Sequence, residues 1–347
     1  AHLRRLYPPL DEAAFLARIF DTDWNNEALK ERMRHLTRAL REQLPSDYRT
    51  ALAVLKQAAP LLREHGFLLV SFCDFVEVYG LADWDASLPA LEWFTQFMSA
   101  EFAVRPFIAQ DAPRMMAQML AWSRHDSDQV RRLSSEGCRP RLPWAMALPD
   151  FKRDPAPILP ILESLKDDPS DFVRRSVANN LNDIAKDNPD VVIDVLRRWN
   201  ADATPERRWI IRHALRSLVK AGHAEALALL GFEASAAVNV KYLSLSTDCI
   251  HMGDKLAFTF EVESLSDEPQ NLVVDYVVYF QKANGSLAPK VFKLAQRTIQ
   301  PGQTLRFEKR HAFQPITTRV YYPGDHALTV KINGTEYGDQ HFTLVLE

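Results

Sequence analysis

The sequence predicts a chain that is first helical and then β: a HEAT-like α-solenoid over residues 1–232, followed by an all-β immunoglobulin-like sandwich over residues 233–347. Three observations carry that expectation. The segment Asp128-Gln129-Val130-Arg131-Arg132 returns 43 residues later as Asp171-Phe172-Val173-Arg174-Arg175, each time entering an apolar helical run, and a period of that size belongs to stacked helical repeats. From Tyr7 to about Phe232 apolar residues recur at three-to-four spacing, punctuated by Pro or Gly. From Glu233 onward the texture switches to alternation broken by turn dipeptides.

Taken in order, helices are expected over 11–20, 25–43, 47–64, 67–79, 85–97, 101–110, 112–124, 128–136, 155–165, 171–187, 189–198, 205–220 and 223–230. Asp128, the pair Ser170-Asp171 and the pair Thr204-Pro205 supply helix starts, each a polar cap or a cap followed by proline. In the second part Leu256, Phe258, Phe260 and Val262 alternate with Lys255, Ala257, Thr259 and Glu261, and Phe342, Leu344 and Leu346 repeat the pattern. Asn284-Gly285, Pro301-Gly302, Pro323-Gly324 and Asn333-Gly334 mark turns. Seven strands follow, over 238–246, 255–264, 271–282, 290–295, 304–312, 326–332 and 340–346. That number of short strands in about 110 residues suits an immunoglobulin-like sandwich, here without a cysteine pair.

With 347 residues, 47% hydrophobic and 25% charged, the chain has an ordinary globular composition and the length for two cores. The separated Cys73, Cys138 and Cys249 fit neither a disulfide framework nor a thiolate zinc site, so a reducing compartment is expected. No apolar run approaches a bilayer span and the start lacks a signal pattern, so a cytoplasmic protein is expected. Phosphate-cradling, dinucleotide, zinc-hydrolase and serine-hydrolase motifs do not occur, and the histidines show no ligand spacing; no cofactor and no metal are expected. Net charge is -3, yet residues 114–220 hold 19 Lys and Arg against 15 Asp and Glu, and 15 of those 19 are arginine. Arginine's planar fork suits phosphate, but solvated faces paired with nearby acids give the same count; composition leaves both open.

Residues four apart share a helix face, and stacked repeats align such faces. Arg132 with Glu136, Arg175 with Asn179 and Asp183, and Arg212 with Arg216 and Lys220 therefore form one expected polar strip. Carboxylates repel phosphate and are out of place in a purely structural nucleic-acid groove. Glu136 is the sharpest case, because Gly137, Pro140 and Pro143 end its helix and leave an acid in the last turn, where the helix dipole disfavours it. Pattern alone favours an ordinary salt bridge to Arg132 or Arg139 over catalysis, and for Asp183 a solvated face with Lys186 as partner. Trp144, closing a proline-stiffened loop, reads either as a stacking aromatic or as a plug between repeats. Glu101 is expected to begin a helix, paired with Arg105 one turn on.

The run Ser135-Glu136-Gly137-Cys138-Arg139-Pro140-Arg141-Leu142-Pro143-Trp144 resembles the AlkC family of bacterial DNA alkylation repair glycosylases, relatives of AlkD. Glu101-Phe102-Ala103-Val104-Arg105-Pro106-Phe107 upstream and Val173 to Asp183 downstream extend the likeness, which covers the helical part from end to end. The resemblance implies a repeat domain followed by an immunoglobulin-like domain, and excision of 3-methyladenine and 3-methylcytosine from double-stranded DNA by a monomer. It implies lesion recognition without base flipping, Glu136 as catalytic carboxylate, and Glu101 and Asp183 completing an acidic cluster. It further implies Trp144 packing on the deoxyribose or wedging into the duplex, and Arg132, Arg139, Arg141, Arg175 and Arg212 gripping phosphates. In the sandwich, Lys241, Lys290, Lys293, Arg306, Lys309, Arg310 and Arg319 extend that grip on this reading. The alternatives are a non-catalytic HEAT-repeat scaffold binding nucleic acid or protein, and an unrelated enzyme carrying the sandwich as a binding module.

Overall fold

The computed structural model of the protein describes residues 2–346 and has the expected order, with helices from His2–Leu6 through Ala224–Leu229 and then strands. Two compact units form by packing, one running to Val192 and including Ala201–Ala214, the other made of Ile193–Asn200 and the chain from Leu215 onward. Among the described residues no helix is long and apolar enough to cross a membrane.

In the first unit the Asp128–Glu136 helix packs on Asp171–Ile184, which packs in turn on Pro205–Ala214. The sequence echo is thus a spatial period: Ser135 Oγ lies 2.7 Å from Ser176 Oγ, and Ser170 Oγ donates to Asp128 at 2.8 Å. The first arginine of each echoed pair acts alike in both copies. Arg131 Nη1 donates to the carbonyls of His125 and Asp126, and Arg174 Nη1 to those of Asp168 and Pro169, so each clasps the turn before its own helix. Turn carbonyls lie outside the helical ladder and need such donors. Ser127 and Ser170 hold the cap positions without side-chain caps; Asp128, expected as a cap, is already the first helical residue.

Several ends differ from expectation for local reasons. The helix expected from residue 25 starts at Leu29, where Glu31 accepts the Ala28 N–H at 2.7 Å. The one expected over 47–64 tightens after Ala58 into the 3-10 helix Ala59–His65, beside Pro60, which has no N–H to donate. The one expected over 205–220 divides into Pro205–Ala214 and Arg216–Ala221. His2–Leu6 and Pro149–Arg153 are too short to show a period in the sequence.

Among the described residues eight strands build the second unit's two sheets: β1 (Val238–Leu245), β2 (Cys249–His251), β3 (Lys255–Ser264), β4 (Gln270–Gln281), β5 (Leu287–Ile299), β6 (Thr304–Ala312), β7 (Gly324–Ile332) and β8 (Thr335–Val345). One sheet has the order β1-β3-β6, the other β2-β8-β7-β4-β5. The sequence reading misses β2, three residues that run parallel to β8. Leu256, Phe258, Phe260 and Val262 are buried as their alternation requires and share a core with Leu272, Val274 and Tyr276 of β4. Leu346 breaks the expected pattern and is exposed. Gly222 closes the Arg216–Ala221 helix at φ 83°, and its backbone meets that of Gly334 in the β7–β8 turn: an added Cβ on Gly222 would lie 2.7 Å from the Gly334 Cα.

On β4, Asp275 stands in register between Lys293 of β5 and Lys331 of β7. Burial raises its pKa to about 6, against the pull of Lys220, Lys293 and Lys331. His311 on β6 moves down to about 4, through burial and then the charges of Arg319, Lys290 and Lys309. A raised acid contributes stability that is complete below its unfolded pKa of 3.8 and is lost as pH rises through about 6. A lowered histidine contributes stability present above 6.5 and lost as pH falls to about 4. Their slopes therefore oppose each other over nearly the same window. Asp275→Asn should stabilise the protein at neutral pH by roughly 2–3 kcal/mol. Denaturant unfolding of that variant should also show stability climbing between about pH 4 and 6.5 where the wild type is nearly flat.

Candidate active site

The residues with chemical potential gather where the Asp128–Glu136 helix runs out. Gly137 continues it with right-handed backbone, φ -63°, and its N–H still bonds to Leu133. It is glycine for space, since an added Cβ would lie 2.5 Å from a Val104 methyl and 3.0 Å from the Met119 methyl. The chain then loops over residues 138–148 around the guanidinium of Arg105. That fully buried group donates to the carbonyls of Gly137 and Arg139 at 2.8 Å and to that of Met146 at 2.7 Å, tying the loop's entry to its exit. Burial lowers its pKa to about 10. The expected pairing of Arg105 with Glu101 does not form, because these carbonyls hold the guanidinium.

Glu101 itself lies in a turn ahead of the Val104–Gln110 helix and does not cap it. It accepts the Ser99 hydroxyl at 2.8 Å and Arg132 at 2.9 Å. Arg132 also approaches Glu136 Oε1 at 3.5 Å, and Arg139 donates to that same oxygen at 2.7 Å. Arg139 reaches Asp183 with Nε, at 2.8 Å, and Lys186 closes the row on Asp183 at 2.9 Å. The result is one line of alternating sign, Glu101, Arg132, Glu136, Arg139, Asp183, Lys186, drawn from two helices and three turns or loops. Burial opposes the Arg139 cation, but Glu136 and Asp183 outweigh it and hold its pKa above the ordinary value. Both salt bridges that the pattern suggested for Glu136 exist, and so does Asp183 with Lys186, but Asp183 is buried and not on a solvated face, because the stacked helices and Arg139 cover it.

Those ion pairs leave one buried oxygen over. Glu136 is 5% exposed, and its Oε2 is buried without a hydrogen-bond partner among the described residues. Buried acceptors are nearly always satisfied; Arg105 Nη2, Asn180 Oδ1 and Asn182 Oδ1 share the lack of a partner, but of these four residues Glu136 is the one that lines a cleft. Glu136 lines an open cleft of about 450 Å³ together with Glu101, Arg139, Lys30, Phe102 and Trp144. Trp144 does not plug a joint between repeats: it is 74% exposed, and its backbone is left-handed at φ 62°. A non-glycine residue in that conformation stores about 1–3 kcal/mol of strain, and such strain gathers at functional sites.

The five arginines expected to grip phosphate divide. Arg139 is buried between two carboxylates and is not placed as a phosphate clamp; it belongs to the acid cluster. Arg132 is mostly buried between Glu101 and Glu136 and stacks 4.5 Å over the Phe172 ring. Arg141 pairs with Asp187 at 2.6 Å and Arg175 with Asp171 at 2.8 Å, both at the surface, and Arg212 is exposed. In the sandwich, Lys241 pairs with Glu263 at 2.6 Å, while Arg319 lies 3.7 Å over Phe280. Sequence reasoning missed Lys30, Phe102 and Ser99 as members of the site; only Phe102 had a signal, as the neighbour of Glu101. Removing the cation between two buried acids is costly. Arg139→Gln should destabilise the protein by about 3–5 kcal/mol in denaturant unfolding, whereas exposed Arg175→Ala should change it by less than about 0.5 kcal/mol.

The family profile described as DNA alkylation repair enzyme matches residues 24–218, and that of the carboxy-terminal Ig-like domain of YhaZ matches residues 239–346. The uncharacterized protein YhaZ of Bacillus subtilis (strain 168) is 44% identical over 333 residues, 96% of this chain and 92% of that one. The Pseudomonas fluorescens alkylpurine DNA glycosylase AlkC, bound to DNA containing an abasic site analog, matches with a TM-score of 0.95 at 39% identity, over 99% of this chain and 95% of that one. With a repeat unit and a sandwich that each match along nearly their whole length, the chain belongs to the DNA alkylation repair enzyme family, in its AlkC form with a carboxy-terminal immunoglobulin-like domain.

Proposed function

We propose that the protein is a DNA glycosylase that releases cationic N3-alkylated bases, 3-methyladenine and 3-methylcytosine, from duplex DNA by hydrolysing the N-glycosidic bond. The observation that carries this reading is the unpartnered Oε2 of buried Glu136, at a cleft edged by an exposed tryptophan. Likeness to an AlkC whose structure holds DNA with an abasic site analog supports it.

Methylation at N3 gives the base a positive charge, so it departs as a neutral molecule with the electron pair of the C1′–N bond. The sugar left behind is oxocarbenium-like, and a fixed carboxylate stabilises that charge more strongly in a partly dry cleft than in water. As the C1′–N bond breaks, water forms the C1′–O bond, and its proton passes to Glu136 Oε2. Arg139 keeps Glu136 and Asp183 in place, and Arg132 does the same for Glu101 and Glu136. On this reading the lesion is recognised without base flipping, and Trp144 at the mouth of the cleft packs against the deoxyribose of a bent duplex. Arg141, Arg175 and Arg212 take neighbouring phosphates, helped by the sandwich cations Lys290, Lys293, Arg306, Lys309, Arg310 and Arg319.

Two experiments test this. Wild-type protein should release methylated base from N-methylated duplex DNA, and Glu136→Gln should lose about 100-fold in single-turnover rate at similar DNA affinity; no release by the wild type leaves a non-catalytic scaffold. Arg175→Ala and Arg212→Ala should each weaken DNA binding and lower the salt slope by about one, with the single-turnover rate unchanged.

A further inference from the structure

We propose that Lys30 is a positioning residue for Trp144, a latch that holds the exposed indole at the mouth of the cleft; the inference rests on the glycosylase reading. Lys30 comes from the helix Leu29–Gln43, more than a hundred residues away in sequence, and its Nζ donates to the Trp144 carbonyl at 2.7 Å. The same ammonium lies 4.9 Å from the centre of the Phe102 ring, beside Glu101. Trp144 needs such a hold. Its φ of 62° is one that a bulky L-residue rarely adopts unaided, and its side chain is 74% exposed. Arg105 secures the loop near its two ends, at Gly137, Arg139 and Met146. Arg141 ties down the loop's first limb through Asp187, and Lys30 holds the carbonyl of Trp144 at its tip.

A cation in a cleft for a cationic base repels the substrate it faces, and Glu77 feels part of its charge. Spent on a backbone carbonyl and an aromatic face, its charge has a local use. Lys30 then acts through Trp144 and touches no reacting atom. Because Lys30 is exposed, its loss spares the fold.

The test compares Lys30→Met, Lys30→Arg, Trp144→Ala and the Lys30→Met/Trp144→Ala pair. In Lys30→Met, amide hydrogen exchange over residues 142–147 should quicken at least about threefold without DNA present. Single-turnover excision should fall about three- to tenfold with thermal unfolding unchanged. That fall should vanish in the Trp144→Ala background, and Lys30→Arg should retain most of the wild-type rate. Unchanged exchange overturns the latch. A salt slope lower by about one, with a defect that adds fully to that of Trp144→Ala, makes Lys30 a phosphate contact instead and overturns it too. Failure of the wild type to release base removes the glycosylase reading alone, because the exchange measurement decides the latch without it.

Discussion

Two acids cannot be buried side by side as carboxylates without a cation, and Arg139 is that cation. Glu136 ends one repeat helix and Asp183 lies near the end of the next, and stacking brings both out of solvent. Each would lose several kcal/mol of hydration on burial if left alone. One guanidinium, presenting Nη1 to the first and Nε to the second, offsets both losses. To place it there the chain must leave the helix, turn back and return, which accounts for the glycine against Val104 and for the buried Arg105 inside the turn. The irregular loop at residues 138–148 is the geometric cost of the bridge.

The row of alternating charges has a further property. Its three acids and three bases sum to zero, so the site exerts little long-range pull on a polyanion. On the proposed reading, attraction for a duplex comes from cations outside the row, such as the exposed Arg212. Within the row each base shields the acids from one another, and a carboxylate oxygen is kept available beside arginines that alone would suit only phosphate.

Much of this was legible in the sequence, and what was not has physical reasons. The echo of Asp128 to Arg132 at Asp171 to Arg175 gave the stacking because repeated contacts demand repeated residues. Alternation in β3 gave the inward face because a strand has only two sides. Strand β2 stayed hidden, since three residues carry no period. Glu136 stood out as a local conflict, yet the grouping of the three acids depended on contacts 31 to 44 residues apart in the chain, Arg132 to Glu101 and Arg139 to Asp183. The pattern offered Arg139 as a partner for Glu136, three residues away, but not for Asp183, 44 residues on, and the phosphate contact that the resemblance implied assumed a guanidinium facing solvent. Lys30 had no signal, for its partner is a carbonyl, which every residue has.

Gly222 and Gly334 stand apart from this chemistry and touch backbone to backbone, both in left-handed conformations. A side chain on either would collide with the main chain of the other, so each fixes hydrogen as the only substituent its neighbour tolerates. No single replacement escapes this, because the first change already requires both backbones to move. As the sequence drifts over generations, the two positions are bound to one another as a pair, kept together or given up together, although 112 residues separate them.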